Sequence, residues 1–430
     1  MIETGDTRVS ARAWLVLAFL VSLNTLNFVD RTLPQAFIVD ITSDLQLSYT
    51  EFTLIVGPAF AIIYALTGLF TGVLADRVHR PRLIALGVTI WSVMTMATGL
   101  ARNWAQFAGA RALVAVGEST LSPSALSMLS ASFPKARHGV ATSLYYLGIS
   151  IGGGSAFLIA GTLGQQVGWR ACFIILGGVG LVMALLCLAV ADPRQKRSSD
   201  DRQPHKPAAL MTSIQEALSA FTAYPALGWI WLAAVILTFS QGASVLDQAW
   251  LVREVGMASA DAQILVGLVF TSGSITGSVL GGFLADWFAG KWAAGRLYYL
   301  ALLVLLLAPA AVALRFAEPS SIAFVALLFF GSAGFTLGYG AIVPAILDLA
   351  PERLHGAVLG ATLLGMALLG SATGNVFSGV LADTILSLGW STPLRAAGLT
   401  TNLLALLALP CLALSASTYL RDRRRAGEAL

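Results

Sequence analysis

Apolar residues run along this chain in stretches much longer than a soluble strand or helix face requires, and polar residues collect between them. A helix needs about 20 mostly apolar residues to cross the hydrocarbon core of a bilayer. Stretches of that kind lie near residues 12–37, 51–75, 82–100, 104–130, 138–164 and 170–191, then near 226–250, 262–286, 295–314, 320–347, 355–383 and 394–419. Most connections between them are short. From Asp192 to about Tyr224 the chain instead turns polar and turn-prone, through Asp192-Pro193-Arg194-Gln195-Lys196-Arg197-Ser198-Ser199-Asp200-Asp201. After Pro207, the stretch Ala208 to Phe221 suits an amphipathic helix at a membrane interface. The pattern predicts an all-α membrane protein with twelve transmembrane helices. An N-terminal six-helix bundle would cover 1–191, a cytoplasmic linker 192–225 and a C-terminal six-helix bundle 226–430.

Composition agrees. Hydrophobic residues make up 57% of the chain and charged residues 11%, against about a quarter charged in soluble proteins. So few charges would not cover a soluble surface, and a lipid solvent removes that need. The net charge of +4 is modest and gives no reason to expect a nucleic acid partner. The first apolar run begins at Ala13 and continues past Leu26, too long for the apolar region of a signal peptide, so it reads as a membrane helix that stays. Cys172, Cys187 and Cys411 sit in apolar runs without metal-ligand spacing and read as small core residues. No cofactor, metal or catalytic residue is expected, and neither a nucleophile elbow, a phosphate loop nor an ATP-binding motif is present, so energy has to come from an ion gradient. There is no Asn-X-Ser/Thr sequon.

Basic residues set the orientation. With both termini and the central loop in the cytoplasm, that side holds Arg8, Arg12, Arg77, Arg80, Arg82, Lys135, Arg137, the basic residues from Arg194 to Lys206, then Lys291, Arg296, Arg353, Arg421 and Arg423 to Arg425. The other side holds Arg102, Arg170, Arg253, Arg315 and Arg395. An even number of spans satisfies this bias at nearly every loop. The expected location is a plasma membrane, crossed many times.

The two halves carry a repeat. Gly72-Val73-Leu74-Ala75-Asp76 returns as Gly282-Phe283-Leu284-Ala285-Asp286, 210 positions later, and Pro134-Lys135-Ala136-Arg137-His138-Gly139 returns as Pro351-Glu352-Arg353-Leu354-His355-Gly356, 217 positions later. Both fall at cytoplasmic helix ends, so the second six helices repeat the first in parallel. Carriers built from repeats hold substrate between them near the bilayer midplane and rock one against the other. The run Gly72-x-x-x-Asp76-Arg77-x-x-Arg80-x-Arg82 resembles the signature loop of the major facilitator superfamily, with His79 and Pro81 as departures. It reads as a gating latch: Gly72 lets helices approach, and Asp76 pairs with basic residues of neighbouring loops in one state and releases them in the other. Asp286, followed by Trp287 instead of a basic residue, makes the second copy the weaker.

Charges inside spanning segments are costly and point to function. Arg111 and Glu118 lie seven residues, about two turns, apart on the fourth segment, and Ser122 extends the stripe by a turn. Small residues (Ala108, Ala115, Ala125) fill the rest of that face, as in the wall of a polar cavity; the alternative is a structural Arg111–Glu118 pair. Asp30 and Arg31 lie late in the first segment, just before Pro34, which should kink or loosen it. About 27 Å from Arg12 along an untilted helix, they either meet headgroups or face a vestibule. Asp247 and Gln248 suit an outer gate or a loop. Tyr145, Tyr146, Gln241, Tyr339 and Asn375 are polar groups within helices, open to interhelical or substrate contacts. The glycines Gly148, Gly152, Gly153, Gly154 and Gly161 suit close packing or bending. His138 and His355 sit at cytoplasmic loops, away from any proton path.

The combination of Asn27-Phe28-Val29-Asp30-Arg31, Leu33-Pro34 and Arg111-x-x-x-x-x-Gly117-Glu118 resembles Spinster-like transporters. Leu74-Ala75-Asp76-Arg77, Trp91-Ser92 and Trp169-Arg170 are similar too. The match is good over the N-terminal half, and the C-terminal half resembles the superfamily generally. The resemblance implies a major facilitator fold and a carrier of lysophospholipid or sphingosine 1-phosphate, or a proton-dependent bacterial relative. It also implies that the family's intramembrane acids correspond to Asp30 and Glu118 and their basic partners to Arg31 and Arg111. On this reading Asp30 and Glu118 couple protons, while Arg31, Arg111, Ser122, Tyr145, Gln241 and Tyr339 bind substrate. Burial favours a neutral acid and a nearby arginine favours its carboxylate, so proton affinity can change as a cavity opens to either side. The expected partners are a lysolipid or sphingolipid-like small molecule, protons and the bilayer, and the expected carrier is a monomer. A carrier of small organic anions or drugs is the alternative. A non-transporting sensor or scaffold is a weaker one, because the chain stops about ten residues after its last span.

Overall fold

The computed structural model describes residues 9–192 and 210–428, and among them every regular element is a helix. The polar run Pro193–Asp201 and the start of the expected interfacial helix lie outside the described residues. Helix α1 (Ala11–Ala36) leads into a two-turn helix, Ile38–Asp44. Helix α2 is composite: Tyr49–Leu54, a π-helical turn at Ile55–Ala59 containing Pro58, and Phe60–Arg77. Then come α3 (Arg80–Leu100), α4 (Trp104–Glu118), α5 (Leu121–Ser132), α6 (His138–Gly161) and α7 (Leu163–Leu188). After α8 (Leu210–Ala223) follow α9 (Pro225–Arg253), α10 (Ser259–Lys291), α11 (Gly295–Leu314), α12 (Ile322–Leu347), α13 (Glu352–Ser387) and α14 (Pro393–Ala426).

Among the described residues, 11 helices are long and apolar enough to cross a bilayer. The twelfth expected span is the fourth, which is divided between α4 and α5. There the Thr120 N–H bonds the Gly117 carbonyl at 3.2 Å, three residues back, and the Thr120 hydroxyl donates to the same oxygen at 2.9 Å. A hydroxyl that competes for a backbone carbonyl tightens and interrupts a helix, and here it does so two residues beyond Glu118. The uninterrupted polar stripe expected from Arg111 to Ser122 is therefore broken at this turn. Pro34 leaves α1 helical as far as Ala36, and the break follows at Phe37.

Glycines set the closest helix approaches. A Cβ on Gly117 would lie 2.7 Å from both the Gly87 carbonyl oxygen and the Trp91 nitrogen, so the backbones of α3 and α4 touch. On α6, a Cβ on Gly152 would lie 2.4 Å from the Thr25 oxygen of α1. Lipid gives helices no hydrophobic drive to associate, and small residues at such contacts supply van der Waals packing instead. Within α7, Gly168 takes φ 77° and ψ 165°, a conformation open to glycine and strained for other residues. That residue turns the chain into the sixth span at Trp169.

The chain forms two compact units. The first gathers Met1–Leu47, Ala59–Pro204 and Ser259–Gly267, and the second Ser48–Pro58, His205–Ala258 and Leu268–Leu430. In the first, Leu20, Leu23, Ile84, Trp91 and Val114 form the core. In the second, Leu227, Ile230, Leu300, Ile346 and Leu412 do so. Helix α8 docks on the second core through Ala220, and its Phe221 ring packs 5.3 Å from that of Trp231. The sequence repeat is also a structural one. Pro134 and Pro351 each precede a single 3-10 turn, Lys135–Arg137 and Glu352–Leu354. His138 and His355 each bond a carbonyl five residues back, Phe133 at 2.8 Å and Ala350 at 3.0 Å.

Candidate functional site

Four charged side chains meet between α1 and α4 in the first unit, and they pair crosswise. Arg111 Nη1 lies 2.9 Å from Asp30 Oδ1, and Arg31 Nη2 lies 2.8 Å from Glu118 Oε2. Arg31 Nε donates to the same Glu118 oxygen at 3.1 Å. The geometry follows from helix parameters. Adjacent residues on α1 point about 100° apart, and residues seven apart on α4 are about 10 Å apart along the axis. One α1 dipeptide therefore reaches two levels of α4, and a direct Arg111–Glu118 pair does not form. Asp30, Arg111 and Glu118 are each 1% exposed. Asp30 is thus buried in protein and does not lie among lipid headgroups.

The two pairs have different surroundings. Asp30 also accepts a hydrogen bond from the Thr95 hydroxyl of α3. The Arg111–Asp30 side chains are almost sealed, at 2% exposure each, whereas the Arg31 side chain keeps 28%. Aromatic rings face the Arg31 guanidinium: Phe28 at 5.0 Å, Phe60 at 5.0 Å and Tyr64 at 4.6 Å to the ring centroids. Phe60 also lies 5.4 Å from Arg111. Cation–π contact at these distances stabilises a desolvated cation. Sequence reasoning passed over Thr95, Phe60 and Tyr64, and named Phe28 only as part of the Asn27-to-Arg31 motif. A tyrosine in an apolar segment was the available signal, and Tyr64 carries it as well as Tyr145 does.

Glu118 is satisfied on one side only. Its Oε2 takes both Arg31 bonds, while Oε1 is buried and finds no hydrogen-bond partner among the described residues. Arg111 Nε is likewise buried and without a partner. Such groups are exceptions in native proteins and call for a reason. Beyond the interrupted turn, the Ser122 hydroxyl lies 3.4 Å from that of buried Tyr145, whose carbonyl accepts from Asn24 at 2.9 Å. Gln241 and Tyr339 belong to the second unit. Both are half-buried, and Tyr339 packs against that unit's core.

The expected latch residues divide into different roles. Arg80 is 3% exposed, its Nη1 donates to the Ser127 carbonyl at 3.1 Å, and its backbone N–H donates to Asp192 at 3.1 Å. Arg77 and Arg82 are exposed. The side chain of Asp76 lies outside the described residues. Gly72 does not show the close helix approach expected of it: a Cβ there meets nothing within 4 Å. The second copy is well connected despite lacking an adjacent base. Arg296, from the start of α11, lies 3.0 Å from Asp286 and also pairs with Asp348, to which Tyr419 donates at 3.3 Å. Asp247 pairs with Arg315 at 2.6 Å, and the Arg315 guanidinium stacks 4.3 Å from the Trp250 ring.

Comparison with known proteins bears on this arrangement. The model of the Major Facilitator Superfamily matches residues 20–374. An MFS-type efflux pump of Mycolicibacterium smegmatis is 29% identical over 425 residues, covering 98% of this chain and 96% of that protein. Protein spinster of Drosophila melanogaster is 23% identical over 414 residues, covering 94% of this chain and 67% of that protein. The crystal structure of a bacterial homolog of the human lysosomal transporter Spinster, inward-facing and unoccupied, matches with a TM-score of 0.84 at 24% identity, over 97% of this chain and 99% of that one. The helices, the internal repeat and the family match over most of the chain together identify it as a multi-pass membrane transporter that belongs to the Major Facilitator Superfamily.

Proposed function

We propose that this transporter is a proton-coupled secondary carrier that moves an amphipathic or anionic substrate by alternating access, with Glu118 as the coupling acid and Arg31 as the group that meets the substrate's anion. The observation that carries the reading is the half-satisfied Glu118: one oxygen holds Arg31 and the other is buried without a partner among the described residues. A proton on Oε1 neutralises the carboxylate and weakens its hold on Arg31, because a charge-assisted hydrogen bond is roughly twice as strong as a neutral one. Arg31 is the more accessible of the two arginines, and once released it can take a phosphate or carboxylate. Protonation of Glu118 and binding of the anion at Arg31 then favour one another. Asp30 and Arg111 form the fixed half of the site and hold α1 against α4.

The apolar rings around Arg31 and the likeness to protein spinster favour a substrate with a lysolipid or sphingoid-phosphate character. The efflux pump, matched at higher identity, favours the second reading, a carrier of small organic anions or drugs. Both readings have the termini in the cytoplasm, the chain in a plasma membrane, and one chain as the working unit. Reconstituted vesicles test them. Uptake of a radiolabelled lysophospholipid, a small dicarboxylate and a cationic dye is compared with and without an imposed pH gradient. Gradient-driven movement of the lysolipid supports the first reading, and gradient-driven movement of the dicarboxylate or dye supports the second. Movement that ignores the gradient for all three overturns proton coupling.

A further inference from the structure

An open, mostly apolar groove of about 490 Å³ runs between the start of α3 and the end of α7, in the first unit, and none of the four charged residues of the site lines it. Its floor is made by two small buried residues, Ala85 and Ala184, each 4% exposed. Its walls are leucines: Leu86, Leu185 and Leu188 are 58%, 69% and 58% exposed. Thr89 contributes little polarity, since its hydroxyl is spent on the Ala85 carbonyl at 2.8 Å. Seven residue steps along α3, from Arg82 to Thr89, give the groove a length of about 10 Å.

One end of the groove is charged. Arg82 lines it, is exposed, and has no acidic partner among the described residues. The contrast with Arg80 is instructive. Two positions apart on a helix is more than half a turn, so Arg80 turns inward to the Ser127 carbonyl while Arg82 faces out. An exposed guanidinium at the end of a membrane helix, above an apolar channel, matches a molecule with an anionic head and an alkyl tail. Basic residues between helix ends at the membrane surface recognise anionic lipid headgroups in this way.

We infer that this groove is a binding site for an anionic phospholipid of the surrounding bilayer, with its phosphate on Arg82 and an acyl chain along Ala85, Leu86, Leu185 and Leu188. The lipid is a resident of the groove, distinct from transported substrate, so the inference stands whatever the carrier moves. Its charge requirement and its shape requirement can be separated by two variants. Arg82→Gln removes the charge and leaves the channel. Thr89→Trp fills the channel from its exposed side and leaves the charge.

The test is native mass spectrometry of the full-length protein released from nanodiscs containing equal phosphatidylglycerol and phosphatidylcholine of identical chains. The expected result is about fivefold preferential retention of phosphatidylglycerol, from one basic contact near the surface. Arg82→Gln should abolish the preference, and Thr89→Trp should lower retention of both lipids. Added glycerol 3-phosphate should not displace the lipid, because a free headgroup lacks the chain. Equal retention of the two lipids by the unaltered protein, an unchanged preference in Arg82→Gln, full retention in Thr89→Trp, or displacement by glycerol 3-phosphate would each overturn the inference. Circular dichroism of both variants separates loss of the site from loss of fold.

Discussion

Arg31 Nη2 lies 2.8 Å from Glu118 Oε2, joining α1 to the end of α4 across 87 positions of sequence, while its chain neighbour Asp30 pairs with Arg111 instead. Two ion pairs of one dipeptide thus differ in exposure and in their consequences when broken.

Glu118→Gln keeps the shape of the side chain and removes its charge. Arg31 retains 28% exposure and can reach water, so the variant should fold. Its transport should no longer respond to a pH gradient. Vesicle uptake at fixed substrate, with and without the gradient, checks this; a variant with wild-type gradient dependence would exclude Glu118 as the coupling acid.

Asp30→Asn should behave differently. It leaves Arg111 charged with 2% of its side chain exposed. Breaking one side of a buried pair costs about 3–5 kcal/mol, so thermal stability should fall more than in Glu118→Gln. Adding Arg111→Gln to Asp30→Asn should restore much of the loss, because the uncompensated charge is gone. A thermal-unfolding double-mutant cycle measures the coupling, and additive losses would show that the pair contributes little.

Arg31→Gln should weaken binding of a phosphorylated amphiphile more than binding of its neutral analogue. Tryptophan-fluorescence titration of both ligands reads the difference. Equal loss for the two would assign Arg31 a packing role against Phe28, Phe60 and Tyr64.

Two glycines of the first unit should respond differently to substitution. Gly117→Val puts side-chain atoms into the backbone of α3, where Gly87 and Trp91 already crowd a Cβ at 2.7 Å. Packed backbone cannot yield cheaply, so stability should drop sharply. Gly72→Leu meets open space and should leave stability within about 0.5 kcal/mol. If Gly72 closes against another helix elsewhere in the cycle, that variant shifts the populations of states, which distance measurements between spin labels on α2 and α13 would detect.

Arg296→Gln removes the cation shared by Asp286 and Asp348. Asp286 is 72% exposed on its side chain, and exposed pairs contribute about 0–1 kcal/mol. Melting temperature should hardly move. The same small energy can shift a balanced two-state equilibrium several-fold, so the distance distribution between bundle ends should change while the fold stays intact.

Much of this protein was legible in the sequence, because a bilayer imposes rules that read locally. Backbone groups in lipid must be satisfied within each segment, which makes long apolar runs helical. The 217-position repeat could be seen in six residues, and it reappears as two identical turns before His138 and His355. The rarity of charge inside the spans singled out Asp30, Arg31, Arg111 and Glu118 without any structure. Which of them pair was beyond it, since pairing depends on how far α1 and α4 are rotated and slid against one another. Close backbone contacts hold α4 against α3 at Gly87 and Gly117 and α1 against α6 at Gly152, and their partners lie far along the chain. The aromatic faces around Arg31 come from the same packing. Composition and periodicity determined that there are helices and which residues are chemically expensive; only the tertiary structure decided which of those residues face one another.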